Sequence, residues 1–311
     1  MQDDDDRTAS LMTPAKLAQL KVHPKPAGSP AAWLDQLASD AGSGHVRRLV
    51  DLRRQLEGQM GEGGDHAEVR AALDALAGLA GRLDFGLLEP KGWLARATGK
   101  GKQEAAGFLA QYERIAKAGE DLKDDVRALQ RSRQSLGAAV DRTLMEFDVE
   151  LKAIEKIIDQ GARWLQDMRN QLKTREALGG DAAALKAVQE DAARCELLVT
   201  RLKQLRTASS AAQQAVEHCR LQVGRRATLG ERLQQAVDGE WAAWQKALAP
   251  LARETKAGGA TAQDLATARK ADQEVQACAA QSSQDCQQLQ AQEQVLQGEL
   301  AALQEPLQAA V

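Results

Sequence analysis

The chain has 311 residues, enough for a sizeable core, yet only 3% of them are aromatic, and Ala, Leu, Gln, Glu, Lys and Arg dominate. That composition belongs to long helices and argues against a mixed globular core. Lys and Arg number 41 against 44 acidic residues, a formal net charge of −3, so overall charge makes no case for nucleic acid as a partner. No apolar run approaches the roughly 18 residues needed to span a bilayer. The opening Gln2-Asp3-Asp4-Asp5-Asp6 is the reverse of a secretory leader's basic start. The expectation is a soluble, intracellular protein. Its four cysteines, Cys195, Cys219, Cys278 and Cys286, form no CxxC pair. Their spacing excludes a disulfide scaffold and fits reduced thiols used as small hydrophobes.

Residues 1–29 read as a disordered tail, with the solvated Asp run followed by Pro14, Pro24, Pro26 and Gly28. Residues 30–85 read as a short helical N-terminal module. Ser29 and Pro30 suit an N-cap and first helical position, and Trp33, Leu34 and Leu37 come next, before a stop near Gly42. A second helix carries Val46, Leu49, Val50, Arg53, Leu56 and Met60 on one face and ends at the Gly61–Gly64 turn. A third, capped by Asp65, carries Val69, Leu73, Leu76, Leu79 and Leu83. So little apolar area predicts that these pieces lean on the longer helices.

Residues 86–103 form a connector rich in Gly and Lys, with Lys91, Arg96, Lys100 and Lys102 beside Trp93 and Leu94. It is no phosphate loop: six residues separate Gly92 from Gly99-Lys100 where the motif has four, Gly comes after the lysine, and no strand precedes it. Two readings stand. Trp93 packs on the end of a bundle, or the basic and apolar side chains together meet a phospholipid surface or an acidic partner.

From residue 104 to 308 the pattern is that of long helices. Inward positions Phe108, Tyr112, Ile115, Gly119, Leu122, Val126, Leu129, Arg133 and Leu136 alternate steps of four and three. After one extra four-step through Val140 to Leu144, the alternation resumes through Phe147, Leu151, Ile154, Ile158, Gly161, Leu165, Met168 and Leu172. A period of 3.5 keeps one stripe on a partner helix, and the extra step is a stutter that locally unwinds the pair. Such a helix is on the order of 100 Å long. Gly179-Gly180 ends it and Asp181 caps the next, whose seam runs from Leu185 through Cys195, Leu205, Val216, Trp241 and Trp244 to Leu251. Gly258-Gly259 turns the chain again. Thr261 with Asp264 resembles a capping box for a third helix ending near Pro306. The fold class is therefore all-α: a three-helix rod of long antiparallel coiled-coil helices, with short N-terminal helices.

This register leaves a distal hairpin whose apolar face includes Ile154, Ile157, Ile158, Trp164 and Met168. Either the N-terminal helices fold back over it or a second copy covers it, which makes these five the candidate self-association residues. At the other end, Trp241 and Trp244 fall opposite Tyr112, Ile115 and Val275. With Trp93 and the connector's basic residues they form a candidate contact for a partner or membrane surface, or else packing for the bundle end. His23, His45, His66 and His218 are scattered, and no HExxH or GxSxG occurs. No catalytic, cofactor-binding or metal-ligating residue is assigned.

The connector, together with the long helices after it, resembles a known family. Lys91-Gly92-Trp93 and Gly99-Lys100-Gly101-Lys102, leading into a helix with Phe108 and Tyr112 and then into very long helices, are similar to the toxic-anion (tellurite) resistance family, TelA-like, over roughly residues 85–308. The Gln-rich stretch 280–304 departs from that family's later part. The resemblance implies a non-enzymatic, cytoplasmic bacterial scaffold or adaptor of tellurite resistance or envelope stress, working through protein partners, possible at the inner-membrane periphery and as a homo-oligomer. It supplies no catalytic residue. Two alternatives differ in class: thiol-dependent reduction or sequestration of oxyanions, and a structural coiled coil of chromosome, secretion or phage machinery.

Overall fold

The computed structural model describes residues 36, 38–62, 66–89, 100–253 and 260–311. The 1–29 tail, the Asp65 cap, the Gly258-Gly259 turn and connector residues 90–99 lie outside them. Among the described residues the chain is all-α with no strand. The elements are α1 (Ser43–Glu62), α2 (His66–Ala80), a 3-10 turn (Phe85–Leu87), α3 (Lys100–Leu178), α4 (Ala182–Gln235), a π-helical segment (Ala236–Trp241), α5 (Ala242–Ala252), α6 (Ala262–Ala302) and α7 (Gln304–Ala309).

Local chemistry sets the ends of these helices. Gly179 adopts a φ of 66°, which costs glycine little, and so closes α3. The Asp181 carboxylate accepts from the Ala184 N–H at 2.9 Å and opens α4. Thr261 and Asp264 form the full capping box that starts α6. Pro250 does not end α5, which continues to Ala252.

The seam of α3 faces inward as its spacing predicts: Phe108, Ile115, Leu122, Val126, Leu129, Val140, Leu144, Phe147 and Leu151 are all buried. Contacts between the long helices run in opposite chain order. Tyr112 meets Trp244, Arg133 meets Arg226, Asp148 pairs with Arg220, and Arg175 with Asp191. Between α4 and α6 the sequence is Arg232 with Asp285, Arg226 with Glu293, and His218 with Glu299.

The short N-terminal helices pack against the long ones, as their small apolar area predicts. Val46, Leu49, Leu52, Leu56 and Met60 of α1 share one core with α3, α4, α6 and the C-terminal turn, and Val69, Leu73 and Leu76 of α2 share a second core with α3, α5 and α6. Side chains tie them in place: His45 meets Glu150, Arg53 donates to the Leu300 carbonyl, and Ser283 donates to Asp74. Where α1 and α2 run alongside, α3, α4 and α6 thus have a fourth neighbour. The reason is the one anticipated from composition, since neither short helix can bury its apolar stripe alone.

A departure concerns the middle of the chain. The predicted continuous second helix is interrupted by the six-residue π segment, which widens the turn, while the expected seam residues Trp241, Trp244 and Leu251 stay buried.

Candidate functional site: a groove over a buried cationic cluster

Arg133 occupies an inward slot of α3, the one charged residue among the seam positions read from the sequence for that helix. Its Nη1 donates to the Arg226 carbonyl at 2.7 Å, and its Nη2 donates to Nδ1 of His66 at 2.9 Å. Arginine has donors only, so His66 Nδ1 must accept and the ring proton sits on Nε2. That nitrogen faces Glu293 Oε1 at 3.2 Å, and the same oxygen accepts from Arg226 Nε at 2.6 Å. Arg226 Nη2 also donates to the Met60 carbonyl at 2.7 Å, closing the end of α1 onto α4. Five helices therefore meet here, four of them through side chains of one polar knot and α1 through its Met60 carbonyl.

The knot is not neutral. In this arrangement it holds two guanidinium groups, one carboxylate and an uncharged imidazole, which leaves one positive charge over. Burial, and then the neighbouring Arg226 charge, lower the pKa of Arg133 to about 10 despite Glu293. Burial acts to raise the pKa of Glu293, but His66 and Arg226 outweigh it and hold the carboxyl below its ordinary value. The Nε of Arg133 is buried and has no hydrogen-bond partner.

Over this knot α3 and α4 leave an open groove of about 690 Å³. Leu136, Gly137 and Val140 form one wall, Val223, Ala227 and Gly230 the other, with Arg133 and Arg226 among the lining. It lies where the four-residue steps continue through Leu136, Val140 and Leu144. The Arg133 guanidinium occupies the space a side chain at position 230 would need, since a Cβ there would lie 3.3 Å from Nη1.

The aromatic cluster anticipated at the other end exists, in part with the anticipated neighbours. Tyr112 stacks on Trp244 with centroids 5.3 Å apart, and Trp241 stacks on Trp244 at 4.7 Å. Trp244 Nε1 donates to Asp272 Oδ1 at 2.9 Å, and burial raises the Asp272 pKa despite that bond. Phe108 meets Phe85 at 6.0 Å. Trp241 and Trp244 are both buried, so as docking anchors they are corrected: they fill the core and present no surface. Lys91, Trp93 and Arg96 lie outside the described residues, Lys100 begins α3, and Lys102 is exposed.

The self-association candidates need a similar correction. Ile154 and Ile158 are buried in the chain's own core, while Ile157, Trp164 and Met168 are half-buried against it. Gly42, just before α1, reaches this face, where its Cβ position lies 3.7 Å from Ile157 and 3.1 Å from Leu205. Within the chain itself, Ile154 and Ile158 share a core with Val46 and Leu49 of α1 and Leu202 and Leu205 of α4.

Cys195, Cys219 and Cys286 sit in the cores, and Cys278 is half-buried. Burial raises the pKa of Cys219 to about 12 and of Cys286 to about 11, and it also raises those of Cys195 and Cys278. Among the described residues no group of three or more His, Cys, Asp or Glu side chains could hold a metal ion, and no helix is long and apolar enough to cross a membrane.

Sequence reasoning placed Arg133 in the seam but missed its partners. His66, Arg226 and Glu293 lie far apart in sequence, and only the inward arginine signalled that a buried acceptor had to face it. The fold and site together define an all-α bundle with a cationic polar knot beneath a groove. No family model, curated protein or solved structure matches the chain.

Proposed function

We propose that the chain is a non-catalytic helical scaffold or adaptor that acts through protein partners, in the cytoplasm, in toxic-anion (tellurite) resistance or an envelope-stress response. The observation that carries the scaffold reading over a thiol-dependent enzyme is the state of the cysteines. A reactive thiol needs a lowered pKa and access to solvent. Cys195, Cys219 and Cys286 have neither, and each fills a slot between apolar neighbours. The reversed contact order along α3, α4 and α6 supports an antiparallel coiled-coil rod as the form of that scaffold. The resistance setting rests on the connector resemblance, and the basic residues Lys91, Arg96, Lys100 and Lys102 are its partner- or membrane-facing element.

The test uses a deletion strain of the source organism challenged with tellurite. Wild type and a variant with all four cysteines replaced by Ala should restore growth equally. A variant with the four connector cations replaced by Glu should fail to restore growth while keeping its melting temperature. Loss of rescue in a folded cysteine-free variant would transfer the case to thiol chemistry. A deletion strain as resistant as its parent would remove the tellurite setting altogether.

A further inference from the structure

We propose that the α3–α4 groove is a binding site for an amphipathic monoanion, a carboxylate carried on a slender alkyl chain. This inference does not depend on the scaffold reading. Its first support is size and lining. At about 690 Å³ the groove is within the range of small-molecule sites, and Leu136, Val140, Val223 and Ala227 give it apolar walls. Gly137 keeps the space between those walls open, while Gly230 makes room for the Arg133 guanidinium. A Cβ at Gly137 would meet nothing within 4 Å.

The second support is charge. The knot beneath the groove carries one positive charge more than its own groups neutralise, on Arg133 and Arg226, and both arginines line the groove. The guanidinium of Arg133 retains an unpartnered Nε–H. That Nε–H is itself buried, so a carboxylate in the groove supplies the missing counter-charge to the guanidinium as a whole, and charge-assisted hydrogen bonds are stronger than neutral ones.

The rim chooses among anions. It carries Glu231 and Asp238 together with glutamines of both helices. Polyanions such as nucleic acids or polyphosphates would meet these carboxylates as well as the arginines. A single charge on a thin apolar chain passes between them and reaches the arginines. The groove therefore selects one buried negative charge with an apolar body.

Titration calorimetry of the full chain with dodecanoate and with dodecanol, each below its aggregation concentration, tests the proposal. The carboxylate should bind about tenfold or more tightly than the alcohol, the ratio expected for one charge-assisted hydrogen bond. Gly137→Trp should fill the groove from its open side and abolish dodecanoate binding, with melting unchanged or slightly raised by the gain in helix propensity. Arg133→Gln should erase the preference for the carboxylate. Should that variant fail to fold, Gly137→Trp still decides the matter. Equal affinity for acid and alcohol, no dodecanoate binding at all, or undiminished binding by Gly137→Trp would each overturn the assignment.

Discussion

Two buried carboxylates respond to pH in opposite senses. Glu293, held below the ordinary 4.5 by His66 and Arg226, adds stability above that value, and the gain is lost as pH falls through its folded-state value. Asp272, pushed above 3.8 by burial, is the reverse: while ionised it costs stability, and the cost disappears as pH falls through its raised value. Glu293→Gln should therefore lose about 3 kcal/mol at neutral pH, since it leaves Arg226 without its counter-charge, and should flatten the acid limb of a urea-midpoint-versus-pH curve. Asp272→Asn should cost far less at neutral pH. An unaltered acid limb in Glu293→Gln would show that the polar knot does not govern acid sensitivity. Gly119 offers a steric test at the same scale. A Cβ there would run into the Trp241 ring, so the indole needs bare backbone beneath it. Gly119→Ala should cost about 1–3 kcal/mol by overpacking, although helix propensity alone would favour Ala by about 1 kcal/mol. A stabilised Gly119→Ala would show that Trp241 does not rest on that position.

At the scale of elements, the π segment determines where the tryptophans point. Its extra residue lets Trp241 reach Gly119 while Trp244 lies between Tyr112 and Asp272. Inserting an alanine after Gly239 would add a residue that the already widened turn does not absorb and would rotate everything beyond it by about 100°. The expected outcome is loss of the near-ultraviolet circular dichroism of the stacked rings, with a melting temperature several degrees lower. An unchanged near-ultraviolet spectrum would mean that the segment does not set the stack. This element also shows what sequence could and could not reveal. The seam of α3, the Asp181 cap and the Thr261–Asp264 box were legible because each is a local pattern with one physical reading. The π segment was not, because hydrophobic spacing tolerates one inserted residue without a visible break. Leu185, placed in the α4 seam by spacing, is 44% exposed, because nothing but α3 faces that end of the helix among the described residues. The Arg133–His66–Glu293–Arg226 knot joins four helices and leaves only the inward arginine as its trace in any one of them.

For the whole molecule, the covering of the long hairpin by α1 changes what surface substitutions should do. Ile154→Glu with Ile158→Glu places two charges in a closed core and should unfold or strongly destabilise the chain without producing a smaller, well-folded species. A folded double variant of reduced size would restore self-association as the role of that face. The central claim is that this molecule uses its chemistry-bearing side chains to hold helices together, and its thiols test that most directly. Cys195 and Cys219 lie in one core and Cys286 in the other, so together they sample the packing at both levels. Labelling of native chain by an excess of a small disulfide reagent, with mass spectrometry as the readout, should show half-buried Cys278 reacting first. Cys195, Cys219 and Cys286 should then react only at the rate of global unfolding. Prompt labelling of Cys219 or Cys286 under native conditions, at the rate of an exposed thiol, would contradict the account.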